Sequence, residues 1–160
     1  MTIAKGDTLP EATFVTMSDN GPEKIDSQKF FTGRTVALFS VPGAFTPTCS
    51  ARHLPGYIEK ADDLKAKGVD AIACTAVNDA FVMGAWGKSA GADGSVTMLA
   101  DGNGDFVKAL GLEMDGSGFG MGQRGQRFSM IVKDGVVAEL NVEAPGDFKL
   151  SSAEHMLGQL

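Results

Sequence analysis

Two runs of this chain, Thr35–Val41 (TVALFSV) and Val69–Val77 (VDAIACTAV), are apolar almost throughout and have the length of strands. A run without polar alternation belongs to a strand covered on both faces. The intervening Thr48–Lys67 segment has helical periodicity: Tyr57, Ala61 and Leu64 fall at i, i+4, i+7, opposite Glu59, Lys60, Asp62 and Asp63. Gly68 is placed to end this helix, and Pro55-Gly56 is expected to bend it. Buried strand, amphipathic helix and buried strand make a crossover unit. That unit commits the chain to a central sheet with helices on both sides.

The remaining pattern fits this frame. Thr13–Met17 reads as a short strand, and Asp19-Asn20-Gly21-Pro22 as a turn. Ser27 is placed to cap a short helix through Phe31. Asn78 is placed to cap a helix through about Ser89 that carries Phe81, Val82 and Trp86 on one face. Ser95–Ala100 is a third core strand, followed by a turn at Asp101 and a short helix over Asp105–Leu110. Gly111–Gly125 holds six glycines without periodicity and reads as a long surface loop. Phe128–Val132 and Val136–Asn141 flank Lys133-Asp134-Gly135, a hairpin signal, and Ser152–Leu160 closes the chain as a helix. The predicted class is α/β, with a terminal hairpin that makes the central sheet mixed.

Length sets the organisation. The 160 residues suit one domain spanning 1–160, and no linker or internal repeat divides them. A net charge of −6 gives no basic face for nucleic acid. Two cysteines exclude a disulfide scaffold or a cysteine-rich metal module, and no metal is expected. The first residues carry no secretory pattern. The longest apolar stretch, around 36–45, is broken by Ser40, Pro42 and Gly43, well short of the ~20 residues of a membrane span. A soluble, cytoplasmic protein is expected.

The informative segment is Pro42-Gly43-Ala44-Phe45-Thr46-Pro47-Thr48-Cys49-Ser50, where the first core strand hands over to the helix. Ligands of open α/β sheets bind at that carboxyl edge. Cys49 would lie in the first helical turn, where free N–H groups and the positive dipole end favour thiolate over thiol. The thiolate is the nucleophile. Thr46 can aim a hydroxyl at the same spot, and Pro42 would shield the sulfur from water. The opposing reading makes Cys49 a small core hydrophobe, the usual state of free cysteine.

The spacing Pro42-x-x-x-Thr46-x-x-Cys49 resembles the active-site signature of the peroxiredoxins, and VPGAFTPTCS followed by HLPGYIEKADDLKAKGVD resembles their peroxiredoxin-5 subfamily. The likeness continues through VNDAFVMGAWG, Met98–Asp101 and RFSMIVKDGVV, so it covers nearly the whole chain. It implies a thioredoxin-like fold and a thiol peroxidase that needs no cofactor. It also implies that Cys49 is the peroxidatic cysteine, attacking a hydroperoxide to give sulfenic acid. Thr46 would contact peroxide and thiolate, Pro42 would shield, and Arg127 would be the cation that favours thiolate and stabilises charge on the peroxide oxygens. Gly43 and Phe119 are added as substrate contacts, the latter as an apolar rim for alkyl hydroperoxides. Arg124 is the rival for the cationic role, but it stands in the glycine-rich segment and is read as a solvated charge.

Cys74 sits mid-strand, away from any helix N-terminus, and is read as a structural thiol out of reach of Cys49. Some members of the subfamily carry a resolving cysteine near the C-terminus. Residues 144–160 contain none, which implies a one-cysteine cycle reset by an external thiol: glutathione with or without glutaredoxin, or thioredoxin. The resemblance also implies a homodimer formed through a face near the active site. His53, four residues after Cys49, invites a Cys–His pair, yet local packing is the preferred reading. The Gly116–Gly122 alternation lacks the strand and spacing of a dinucleotide loop. The alternative function is a peroxide sensor or chaperone-like protein of the same fold.

Overall fold

The computed structural model describes residues 1–160 and centres on a seven-stranded mixed sheet. The strands are β1 (Thr13–Ser18), β2 (Gly21–Asp26), β3 (Thr35–Ser40), β4 (Ala71–Ala76), β5 (Thr97–Ala100), β8 (Phe128–Lys133) and β9 (Val136–Val142), in the order β2-β1-β5-β4-β3-β8-β9. β3, β4 and β5 are parallel, while β1 and β8 flank them antiparallel. This is the thioredoxin-like α/β arrangement with helices on both faces. The two-residue repeat of a strand divides β3 between two cores. Ala37 and Phe39 face one that includes Leu54, Tyr57, Leu64, Met83, Trp86 and Met156. Val36 and Leu38 face the other, with Phe14, Phe30, Phe31, Phe106 and Leu110. The first core is roofed by α2 (Leu54–Glu59), α3 (Ala61–Ala66), α4 (Ala80–Ala90) and α6 (Ala153–Leu157), and the second by α1 (Ser27–Phe31) and α5 (Asp105–Leu110).

Several sequence expectations need correction. Asp26, not Ser27, caps α1, and Asp79, not Asn78, caps α4. A carboxylate one residue earlier or later reaches the free N–H groups equally well. Phe81 lies outward on α4, 65% exposed, while Ala80, Met83, Trp86 and Gly87 face the sheet. The edge strand β2 was not expected, because its sequence GPEKID carries no apolar signal. Gly111–Gly125 is not a bare loop. It holds β6 (Glu113–Asp115) and β7 (Gln123–Gly125), paired antiparallel around a 3₁₀ turn at Ser117–Phe119. Its glycines hid the alternation that marks strands. The Thr48–Lys67 helix is also less regular than its periodicity implies. Pro55 is preceded by a π-turn over Cys49–His53, and the helix divides at Lys60 rather than at Pro55-Gly56. Proline removes a donor and crowds the carbonyl four residues back, and a widened turn relieves both.

Candidate active site

The loop leaving β3 begins at Pro42 and is tied down on three sides. Asn78 Oδ1 accepts from the Ala44 N–H at 2.9 Å, which is what that side chain does instead of capping α4. Thr46 Oγ1 donates to the Gly43 carbonyl at 2.7 Å. Arg124 donates to the Met121 carbonyl at 2.9 Å and, at 3.5 Å, to that of Pro42. Arg124 is therefore not a solvated charge: the β6–β7 hairpin holds it half-buried as a brace on the loop. A Cβ on Gly43 would lie 3.1–3.2 Å from the side chains of Met121, Arg124 and Thr46, so the close approach of hairpin and loop leaves little room for a larger residue unless those side chains give way. Phe45 takes a left-handed φ of 64°, a strain of roughly 1–2 kcal/mol in a non-glycine residue that the surrounding bonds must offset.

Helix geometry starts at Pro47 and places Cys49 in its first turn, as the sequence indicated. Proline suits the first helical position, where its missing N–H costs nothing. Cys49 is fully buried, with nothing of it exposed to solvent. Burial alone would mark an inert thiol, but Arg127 Nη2 donates to Cys49 Sγ at 2.9 Å. Arg127 directly precedes β8, whose antiparallel pairing with β3 sets Phe128 opposite Ser40, so the arginine enters beside the end of β3. A fixed guanidinium this close gives the sulfur a charged hydrogen-bond donor. Next to Cys49, Ser50 Oγ accepts from the indole N–H of buried Trp86 at 2.9 Å.

His53 does not pair with Cys49; its partner is the arginine. Arg127 Nη1 donates to His53 Nδ1 at 2.7 Å, and His53 Nε2 lies 2.9 Å from the Ser151 carbonyl. Arginine has no acceptor, so Nδ1 must carry the lone pair and Nε2 the proton. The ring is buried among Phe39 and Phe148, with centroids 4.8 and 4.9 Å away. Burial, reinforced by the Arg127 charge, lowers its pKa from 6.5 to about 3. His53 is thus a neutral acceptor that orients the guanidinium. Sequence reasoning set it aside because the relevant partner is 74 residues away rather than on the same helix.

Cys74 shares the Cys49 side of the sheet in β4 and is also fully buried. Burial first, and then the nearby Cys49 charge, push its thiol pKa well above the usual value. Both cysteines are free. A cavity of about 380 Å³ opens beside Arg127, lined by Pro42, Thr48, Gln126 and Glu143 among others. Phe119, 85% exposed, projects from the 3₁₀ turn of the β6–β7 hairpin.

A thioredoxin-like sheet carrying an arginine-bound thiol at the edge where β3 gives way to helix defines a thiol-redox protein. The redoxin family model matches residues 4–157. The chain is 52% identical to peroxiredoxin-2E-2, chloroplastic, of Oryza sativa subsp. japonica, covering 99% of this chain and 73% of that one. It is 46% identical to peroxiredoxin-2B of Arabidopsis thaliana, covering 99% and 98%. Among solved structures, reduced Prx3 of Vibrio vulnificus in complex with H2O2 superposes with a TM-score of 0.95 at 56% identity, covering 99% of each chain. The chain belongs to the redoxin family and, within it, to the peroxiredoxins, the thiol-dependent peroxidases.

Proposed function

We propose that Cys49 is the peroxidatic cysteine of a one-cysteine cycle acting on hydrogen peroxide and alkyl hydroperoxides, within the peroxiredoxin-5 subfamily. The 2.9 Å contact from Arg127 Nη2 to Cys49 Sγ carries this reading. The thiolate attacks the outer peroxide oxygen. A sulfur–oxygen bond forms and the O–O bond breaks. The leaving oxygen keeps the electron pair, takes a proton and departs as water or alcohol, and Cys49 is left as sulfenic acid. Arg127 steadies charge on both sulfur and oxygen through the transition state. The Thr46 hydroxyl proton is engaged by Gly43, so its oxygen is free to accept from the peroxide O–H. Pro42 shields the sulfur, Gly43 keeps the loop close, and Phe119 supplies an apolar rim for larger peroxides.

Two external thiols complete the cycle. The first forms a mixed disulfide with Cys49 and releases water; the second displaces Cys49 as thiolate and leaves the reductant oxidised. Glutathione, with or without glutaredoxin, is the proposed donor, and thioredoxin the competing one. Two free thiols suit a reducing compartment such as the cytoplasm. The exposed Phe45, Phe81 and Phe119, at 55%, 65% and 85%, support assembly into a homodimer. The test is a reductant panel with purified protein: peroxide-dependent glutathione oxidation at many turnovers per chain is expected. One stoichiometric burst with every donor would defeat the reading and favour a sensor. Sedimentation of the wild type and Phe81→Glu reads the dimer.

A further inference from the structure

Glu143 stands immediately after β9 and is only 6% exposed. A buried carboxylate is costly unless it is met by donors. One of its oxygens, Oε2, accepts four hydrogen bonds: from the backbone N–H groups of Lys149, Leu150 and Ser151 at 2.8 Å each, and from the Ser151 hydroxyl at 2.7 Å. Oε1 has no partner within the protein. Burial raises the pKa of this carboxyl, but the bonds from Ser151, Leu150 and Lys149 outweigh it and hold the group below the usual glutamate value. Cation pairing does not explain Glu143; the chain gives it no salt bridge.

The segment gathered by Glu143 leads to the thiol. The Ser151 carbonyl receives His53 Nε2–H at 2.9 Å and the Tyr57 hydroxyl at 2.8 Å. Phe148, in the same segment, packs its ring against the His53 ring and lies beneath the guanidinium groups of Arg52 and Arg127. The Ser151 carbonyl keeps the proton on Nε2, which leaves Nδ1 to accept from Arg127 at 2.7 Å, and Arg127 then reaches Cys49 Sγ at 2.9 Å. The opposite tautomer would set an N–H against an N–H and displace the guanidinium. Glu143 also grips Arg127 from behind, its own N–H donating to the Arg127 carbonyl at 3.0 Å. We propose that Glu143 is a positioning residue of the peroxidatic site: by fixing Lys149–Ser151 it sets the His53 tautomer and so holds Arg127 on Cys49. This inference rests on Cys49 being the reacting thiol.

The test uses Glu143→Gln, which keeps size and the backbone bond to Arg127 but weakens the four-donor cluster. In protein of wild-type circular dichroism, a roughly tenfold slower reaction of Cys49 with hydrogen peroxide is expected, along with a smaller thiolate absorbance at neutral pH. Ser151→Ala, which deletes one donor and leaves the carbonyl, should shift both readouts the same way by less. In a His53→Phe background, where the relay is already cut, Glu143→Gln should add no further loss. Rate and thiolate absorbance within about twofold of wild type in folded Glu143→Gln would overturn the proposal. So would an equal loss in the His53→Phe background. If Glu143→Gln does not fold, an unchanged Ser151→Ala overturns it and a reduced one supports it. Peroxidase turnover surviving in Cys49→Ser would instead sink the reading of the site on which the proposal rests.

Discussion

Cys49 and Cys74 are both fully buried, both free, and both face the same core, Cys49 from the helix and Cys74 from β4. They differ in what touches the sulfur. Cys49 sits at a helix start with a guanidinium 2.9 Å away. Cys74 pairs across the sheet with Phe39 and Met98, and burial holds it as a neutral thiol. Burial therefore does not separate the thiol proposed to react from the one read as structural. The placement of one cation does, and that cation is itself placed by a neutral imidazole.

The comparison breaks most sharply at the sulfurs. Cys49→Ser should abolish peroxide-dependent thiol oxidation, while Cys74→Ala should retain the wild-type rate; loss of activity in the second variant would overturn the division. Next comes the cation. Arg127→Ala is expected to slow the reaction of Cys49 with peroxide by about 10²–10³-fold, measured by stopped flow, as for other groups aimed at developing charge. His53→Phe should cost less, on the order of tenfold, because the guanidinium is loosened rather than removed. A further consequence concerns pH. His53 binds its proton in the unfolded chain at about 6.5 but in the native state only near 3. Between those values the unfolded state holds more protons, so stability is full above the upper value and falls as pH drops toward the lower. Urea midpoints should decline across that window in wild type and decline less in His53→Phe. The smallest effect is on the structural side: Cys74→Ala should lower stability by about 1–2 kcal/mol in urea titrations with catalysis intact.

Much of this was legible in the chain. The unbroken apolar runs of β3 and β4 could only be doubly covered strands, and the Pro42–Ser50 segment between strand and helix marked the thiol. Arg127 was singled out by the family resemblance and preferred to Arg124 because it abuts a strand, while Arg124 was misread because the glycines around it concealed a hairpin. The rest depends on contacts far apart in sequence. His53 meets an arginine 74 residues on, and a carbonyl 98 residues on. Nothing local to His53 announces either. Glu143 lies beside Arg127 only because β8 and β9 pair, with Phe128 opposite Val142. Its role follows from the path of the segment after it, which carries no periodic signal. Local chemistry was readable; the second layer around it belongs to the tertiary fold.

The bond from the Trp86 indole to Ser50 has an optical consequence. Trp86 is the chain's single tryptophan, and it is hydrogen-bonded to the residue next to Cys49. Its emission is therefore an unlabelled reporter on the first turn of the Cys49 helix. Oxidation, reduction or displacement of that turn alters the environment of one fluorophore, so each stage of the cycle should be separable as a phase in intrinsic fluorescence without modifying either thiol.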